Sequence, residues 1–251
     1  MNRIFLIITL ILFSTQIKAM SFESDASLEN KKKKSNIHLA LDFQTKYVWR
    51  GMEMMIEDST PIIFPQINYQ NKGFYVYLMG GYSLNGKYSE VDMGISYTYK
   101  WFTIALNDYY YPTTTTADDQ YFQYNKSNTG HWLEGIITLA PEKMPIYFTI
   151  SNFFYGADKK VNGKQAYSTY AEIGTYYDFL ANNRLSLAMG IACNKSCYNE
   201  YEDNFNICNI EMKYTHTVQL KNGWSLPLNV AYIINPIRNK SFVNFSTSFV
   251  F

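Results

Sequence analysis

The chain has 251 residues, of which 47% are hydrophobic, 18% aromatic and 17% charged, with a formal net charge of +1. A charge this balanced gives no electrostatic support to nucleic-acid binding, and no run approaches the roughly 18 apolar residues of a membrane-spanning helix. The aromatic weight lies in 23 Tyr and 17 Phe, whereas a soluble core would favour aliphatic side chains; tyrosine suits a belt where the ring meets lipid and the hydroxyl meets headgroups.

Residues 1–19, MNRIFLIITLILFSTQIKA, carry Arg3, an apolar run over 4–13 and a polar stretch ending in Ala19. That is the layout of a cleaved secretory signal peptide, its apolar run being too short to cross a bilayer. Removing it takes Arg3 and Lys18 and leaves 20 Lys+Arg against 21 Asp+Glu, a net charge near −1. No cysteine lies near the cleavage region, so a lipid anchor is not expected. Residues 20–36 are polar, with acids followed by lysines at 31–34. They read as a disordered periplasmic tail, with contact to anionic lipid or an acidic partner as the alternative.

Alternation begins at Ile37. Ile37, Leu39, Leu41, Phe43, Tyr47 and Trp49 fall on one face, and His38, Ala40, Asp42, Gln44, Lys46 and Arg50 on the other. The period-two pattern returns over 90–100, 184–193 and 205–220, with weaker candidates at 61–70, 74–82, 101–111, 131–140, 145–155, 167–179, 224–234 and 241–251. These are about twelve strands of roughly ten residues, the length that crosses a bilayer at barrel tilt. Tight turns at 71–73, 100–101, 141–144, 180–183 and 221–223 alternate with longer polar connections at 51–60, 83–89, 112–130, 156–166 and 194–204. Such strict alternation predicts short periplasmic turns and long external loops.

Period two alone does not say which face is wet, and a soluble sandwich or lipocalin-like barrel would turn its apolar face inward. Two considerations favour lipid outside. A bore of about twelve strands is too wide for apolar side chains to fill, and the polar faces of 90–100 and 184–193 carry Gly, Ser, Ala and Thr, too small to build a core. Aromatic residues near strand ends are read as interface belts: Tyr47 and Trp49 at the outer side; Tyr97, Tyr99, Trp101, Phe179, Trp224 and Phe251 at the inner. The expectation is an all-β fold, a closed antiparallel up-and-down transmembrane barrel of about 12 strands over 37–251.

The last strand sets Val243, Phe245, Thr247, Phe249 and Phe251 on one face. It resembles the terminal recognition strand of bacterial outer-membrane barrels, which implies that Phe249 and Phe251 serve as a signal to the barrel-assembly machinery during biogenesis. YVWRG at 47–51 resembles the first-strand signature of TorF-like porins. DYYYP at 108–112, YFQY at 121–124, TGHWLE at 129–134, NFFYGA at 152–157 and YSTYAE at 167–172 resemble uncharacterised outer-membrane barrel proteins of Bacteroidota. The resemblance implies a barrel integral to the outer membrane and a porin role, and it supplies no catalytic residue.

The candidate site is the lumen. Asp42, Lys46, Glu134, Glu172, Glu211 and Lys213 are expected at mid-barrel, with Arg50, Glu90 and Asp92 nearer the external mouth. They form either a solute-selecting constriction or an internal salt-bridge network that partly closes the bore. The chain has three histidines, and none has the neighbours that catalysis needs. His38 and His131 fall near opposite barrel ends, and His216 lies toward lipid with no serine two positions away on its face; no convincing His–Asp pair is expected at the external rim. Asp118, Asp119 and the acids of NEYED at 199–203 are solvated loop charge or calcium ligands, the former preferred, since the spacing matches no EF-hand. Cys193 and Cys208 share a face of neighbouring strands, so a cross-strand bridge and free thiols both remain open. The leading function is a narrow passive channel for small hydrophilic solutes, with no cofactor, no metal and no enzymatic activity. A closed interaction barrel binding a partner or glycan through its loops is second, and an outer-membrane lipase or protease third. Oligomeric state and solute are not fixed by the sequence.

Overall fold

The structure, a computed structural model, describes residues 36–55, 59–112 and 120–251. The expected signal peptide, almost all of the expected tail, and Asp118 and Asp119 lie outside the described residues.

Twelve antiparallel strands close into one barrel. In chain order they are β1 (Ile37–Gln44), then β4 (Ile62–Asn71), β5 (Phe74–Ser83), β6 (Ser89–Tyr99), β7 (Phe102–Tyr110), β8 (His131–Leu139), β9 (Ile146–Gly156), β10 (Thr169–Phe179), β11 (Asn183–Ala192), β12 (Asn206–Gln219), β13 (Ser225–Asn235) and β14 (Lys240–Val250). Between β1 and β4, β2 (Val48–Trp49) and β3 (Met52–Glu53) form a short hairpin that is not part of the barrel wall. Each wall strand pairs with its chain neighbours, and β1 closes the barrel on β14 through Ala40↔Val250 to Gln44↔Ser246. Closure matters physically because it leaves no strand edge with unpaired N–H and C=O groups. Among the described residues no helix is long and apolar enough to cross a membrane.

Orientation follows the alternation. Leu185, Leu187 and Met189 of β11 are exposed on the outer surface, as are Val76 and Leu78 of β5, Met93 and Ile95 of β6, and Met212 and Tyr214 of β12. The inner-end aromatics Tyr97, Tyr99, Trp101, Trp224 and Phe251 are exposed too, with Trp224 and Phe251 packed edge-to-face at 5.2 Å. An exterior so rich in bare aliphatic and aromatic groups suits hydrocarbon, not water.

Glycines on the inner face make room for tyrosine rings on the next strand. Gly94 lies directly opposite Tyr77, and Gly174 opposite Tyr147. A Cβ on Gly94 would stand 2.4 Å from the Tyr77 ring, and one on Gly174 would stand 2.3 Å from the Tyr147 ring. The rings therefore lie along the wall instead of across the bore.

Two expectations need correction. The outer connections are not uniformly long: β13 and β14 are joined by residues 236–239 alone, as short as the inner turns. Tyr47 and Trp49 do not belong to an outer aromatic belt. After Gln44 the chain leaves the wall and turns inward, so that both residues are buried inside the barrel. The cause lies in the next few residues.

Candidate functional site

The hairpin β2–β3 is a plug. Val48 pairs with Glu53 and Trp49 with Met52, and the turn between them has Arg50 at φ 50° and Gly51 at φ 79°. Two successive positive φ values fit a two-residue hairpin turn whose twist matches its strands. Arg50 takes this conformation at a cost of about 1 kcal/mol, so its side chain must supply the compensation. Gly51 has no alternative: a Cβ there would meet the Cys208 carbonyl oxygen at 2.1 Å. Asn235 of β13 fastens the same tip by donating from Nδ2 to the Gly51 carbonyl at 3.0 Å.

Arg50 reaches the opposite wall. Its guanidinium donates to Glu134 of β8 at 2.5 and 3.2 Å and also to the Tyr198 hydroxyl. It lies 4.4 Å from the Trp49 ring centre and 4.7 Å from that of Tyr170. Both partners of the ion pair are nearly inaccessible, at 3% and 0% side-chain exposure. Tyr109 donates to the second Glu134 oxygen at 2.8 Å, so the carboxylate is held from both sides. A buried ion pair becomes tolerable only when its remaining lone pairs are satisfied in this way.

Around this pair the outer half of the bore is a dry core. Tyr47, Trp49, Met52 and Met55 from the plug region pack with Ile62 and Phe64 of β4, Met79 of β5, Tyr109, Phe153 of β9 and Tyr170 of β10. Val48 packs separately with Ala231, Ile233 and Phe242 on β13 and β14. From the other side Tyr198 enters, carried by a single 3-10 turn at Cys197–Asn199. Its ring is 5.8 Å from Trp49 and 5.2 Å from Tyr170. The Cys197 thiol beside it is pushed well above its usual range by burial, with the Asp158 carboxylate adding to the shift.

Among the described residues, Glu90, Asp92, Glu172 and Asp42 form no ion pair. Glu90 accepts from Tyr88 at 2.8 Å and Tyr47 at 3.2 Å. Glu172 accepts from Tyr147 at 2.7 Å, from Tyr170, and from Asn209 at 3.4 Å. Asp42 accepts from Ser248. Asp92 is also buried. Lys46 pairs instead with Glu53 of the plug at 2.5 Å. Below the plug, Lys213 and Glu211 pair at 3.2 Å with side-chain exposures of 22% and 15%, so water reaches the inner half of the bore.

The nine lumen residues expected from sequence thus separate. Arg50 and Glu134 form the lock, and Lys46 belongs to the plug's base. Glu90, Asp92 and Glu172 surround the plug, while Asp42, Glu211 and Lys213 face the bore. What sequence reasoning missed is the plug itself and its receptors Tyr198, Phe153 and Tyr170. A signal existed: near the outer strand ends alternation is lost, with Ile62, Ile63 and Phe64, or Phe153, Phe154 and Tyr155, apolar or aromatic on both faces.

One expectation about histidine is overturned. His131 Nδ1 lies 2.8 Å from Asp108 Oδ1, a close His–Asp pair at the outer rim. Its Nε2 meets the Tyr121 carbonyl, and Tyr124 stacks on its ring at 4.0 Å and donates to Asp108 at 2.7 Å. With both ring nitrogens engaged, His131 acts as a clasp that ties residues 121–124 to β7 and β8. The three cysteines are free, and among the described residues, 199–203 included, no cluster of three or more metal ligands forms.

No family model matches the chain, and no curated relative does. Among solved structures it is similar to the NanC porin, at 9% identity and TM-score 0.45, covering 85% of this chain and 98% of that one. It is also similar to an outer-membrane channel from Pseudomonas putida F1, at 10% identity and TM-score 0.45, covering 91% and 99%. The outer-membrane channel DcaP of Acinetobacter baumannii has 14% identity and TM-score 0.30, covering 84% and 71%. Likeness at this level assigns no solute and no residue role.

Proposed function

We infer that the chain is a porin-like barrel integral to a bacterial outer membrane, a passive route for small hydrophilic solutes that its own plug holds shut. The observation that carries this reading is the contrast along the bore: a dry, locked outer half above an inner half that water enters. A barrel that needed only a rigid wall would have no use for a wet inner vestibule ending on a hairpin attached at its base and tip. When the plug leaves it carries Arg50 with it, and Asp42, Glu90, Asp92, Glu134, Glu172 and Glu211 line the bore against Lys213 and, at the plug's base, Lys46, so the open state should prefer cations. The bare exterior supports a lipid surround, and Phe249 and Phe251 remain candidates for the assembly signal. The resemblance to Bacteroidota barrels and TorF-like porins agrees with this reading.

The dry seal itself favours a second reading, a closed barrel that works through its outer surface. Planar-bilayer recording separates the two. Wild-type protein should show rare, small current steps, and Arg50→Ala should show frequent, larger, cation-preferring ones. A folded Arg50→Ala barrel that stays silent at all voltages would leave only the closed-barrel reading.

A further inference from the structure

We propose that the cleft at the outer mouth, along the seam between plug and wall, binds a neutral sugar ring. The cleft encloses about 240 Å³ and is lined by Trp49 of the plug, Tyr111 just after β7, Trp132 of β8 and Phe153 of β9, with Glu53 and Arg238 among its polar groups. Small-molecule sites start near 300 Å³, so the space suits a single ring better than an extended polymer.

The aromatic groups meet at steep angles. Trp132 packs on Phe153 at 5.2 Å and 74°, and Tyr111 on Trp132 at 6.5 Å and 80°. Trp49 and Phe153 are buried as the floor of this corner, and the half-buried Tyr111 and Trp132 offer the apolar ring surface that a ligand meets. Such a corner also attracts cations, so charge must decide between ligand classes.

Each charged group at the cleft already has an opposite neighbour. Glu53 Oε1 holds Lys46 at 2.5 Å, and Lys240 stands 3.9 Å from its Oε2. Arg238 Nε lies 3.4 Å from Glu200 Oε1 without forming a hydrogen bond, and it is buried without another acceptor. A cationic ligand would meet Arg238 and find Glu53 neutralised; an anion would lie against four aromatic rings and Glu53. A sugar meets neither penalty. Its C–H face can cover a ring while its hydroxyls donate to Glu53 Oε2 and accept from the Arg238 guanidinium, whose side chain is 20% exposed.

This inference rests on the docked plug, which supplies Trp49 and Glu53, and not on conduction. Binding by a barrel that never conducts would keep the site and remove the channel; conduction without binding would do the reverse.

The test uses full-length protein in detergent with Trp101→Phe and Trp224→Phe, so that fluorescence reports Trp49 and Trp132 alone. Glucose and maltose are titrated in parallel with choline and glucuronate at constant ionic strength. A neutral sugar should give a saturable change with Kd near 1 mM, about −4 kcal/mol, and the charged probes should bind at least tenfold more weakly. Trp132→Leu should weaken sugar binding at least tenfold. Should that variant misfold, Tyr111→Leu at the rim replaces it with the same expectation. Tighter binding of choline or glucuronate, no saturation by either sugar, or unchanged affinity in the folded variant would overturn the proposal.

Discussion

Arg50 ties the plug to the opposite wall through its ion pair with Glu134. Removing one member of a buried ion pair leaves the other charged and unpaired, a loss of about 3–5 kcal/mol. Arg50→Met should therefore destabilise the docked plug by that amount, seen as new protease cleavage within residues 45–55. Arg50→Met combined with Glu134→Leu should recover most of the loss, because no buried charge is then stranded. The glycine–tyrosine pairs make a separate prediction. Gly174→Ala drives a methyl into the Tyr147 ring and should cost about 1–3 kcal/mol as overpacking, read as a lower thermal transition. Tyr147→Ala in the same chain should relieve the clash. Arg50 was legible in the sequence as a lumen charge, but its partner was not: Glu134 lies 84 positions away, and nothing in period-two alternation joins two such residues.

At the element scale the strands were the most readable feature, since a wall with lipid on one side and polar groups on the other imposes alternation. Leu187 sits at mid-strand on the exposed face, where a charge must face hydrocarbon. Leu187→Arg should cost about 2–4 kcal/mol at the midplane, measurable as lost folding yield into lipid vesicles. The plug escaped because Tyr47 and Trp49 keep the phase of Leu41 and Phe43, so that YVWRG reads as more wall despite the apolar Val48 on the other face. Only geometry tells it apart: the turn at Arg50 and Gly51 reverses the chain inside the barrel. The apolar receptors on β4, β9, β13 and β14 were written in the sequence as loss of alternation, a pattern equally at home in a weak strand. The His131 clasp is a second element-level device. Asp108→Asn removes the carboxylate that both His131 and Tyr124 hold, so it should release residues 121–129 and speed tryptic cleavage at Lys126.

For the whole molecule, closure of the wall was foreseeable and partial occlusion was one of two readings, but occlusion by a hairpin of the chain itself was not. Twelve strands of matched length predict a bore too wide to leave empty, yet the polar face could have lined open water or a filled plug with equal ease. The protein does both, at different depths. That division extends to the acids around the plug, where Glu90 and Glu172 are held by tyrosine hydroxyls.

The most direct test is single-channel recording of a charge-reversal cycle. Arg50→Glu and Glu134→Arg should each open the bore and conduct, while the double variant, with the pair rebuilt in reverse, should return to near-silence. Equal conductance in the double and single variants, or silence in all three folded proteins, would contradict an arginine-locked plug.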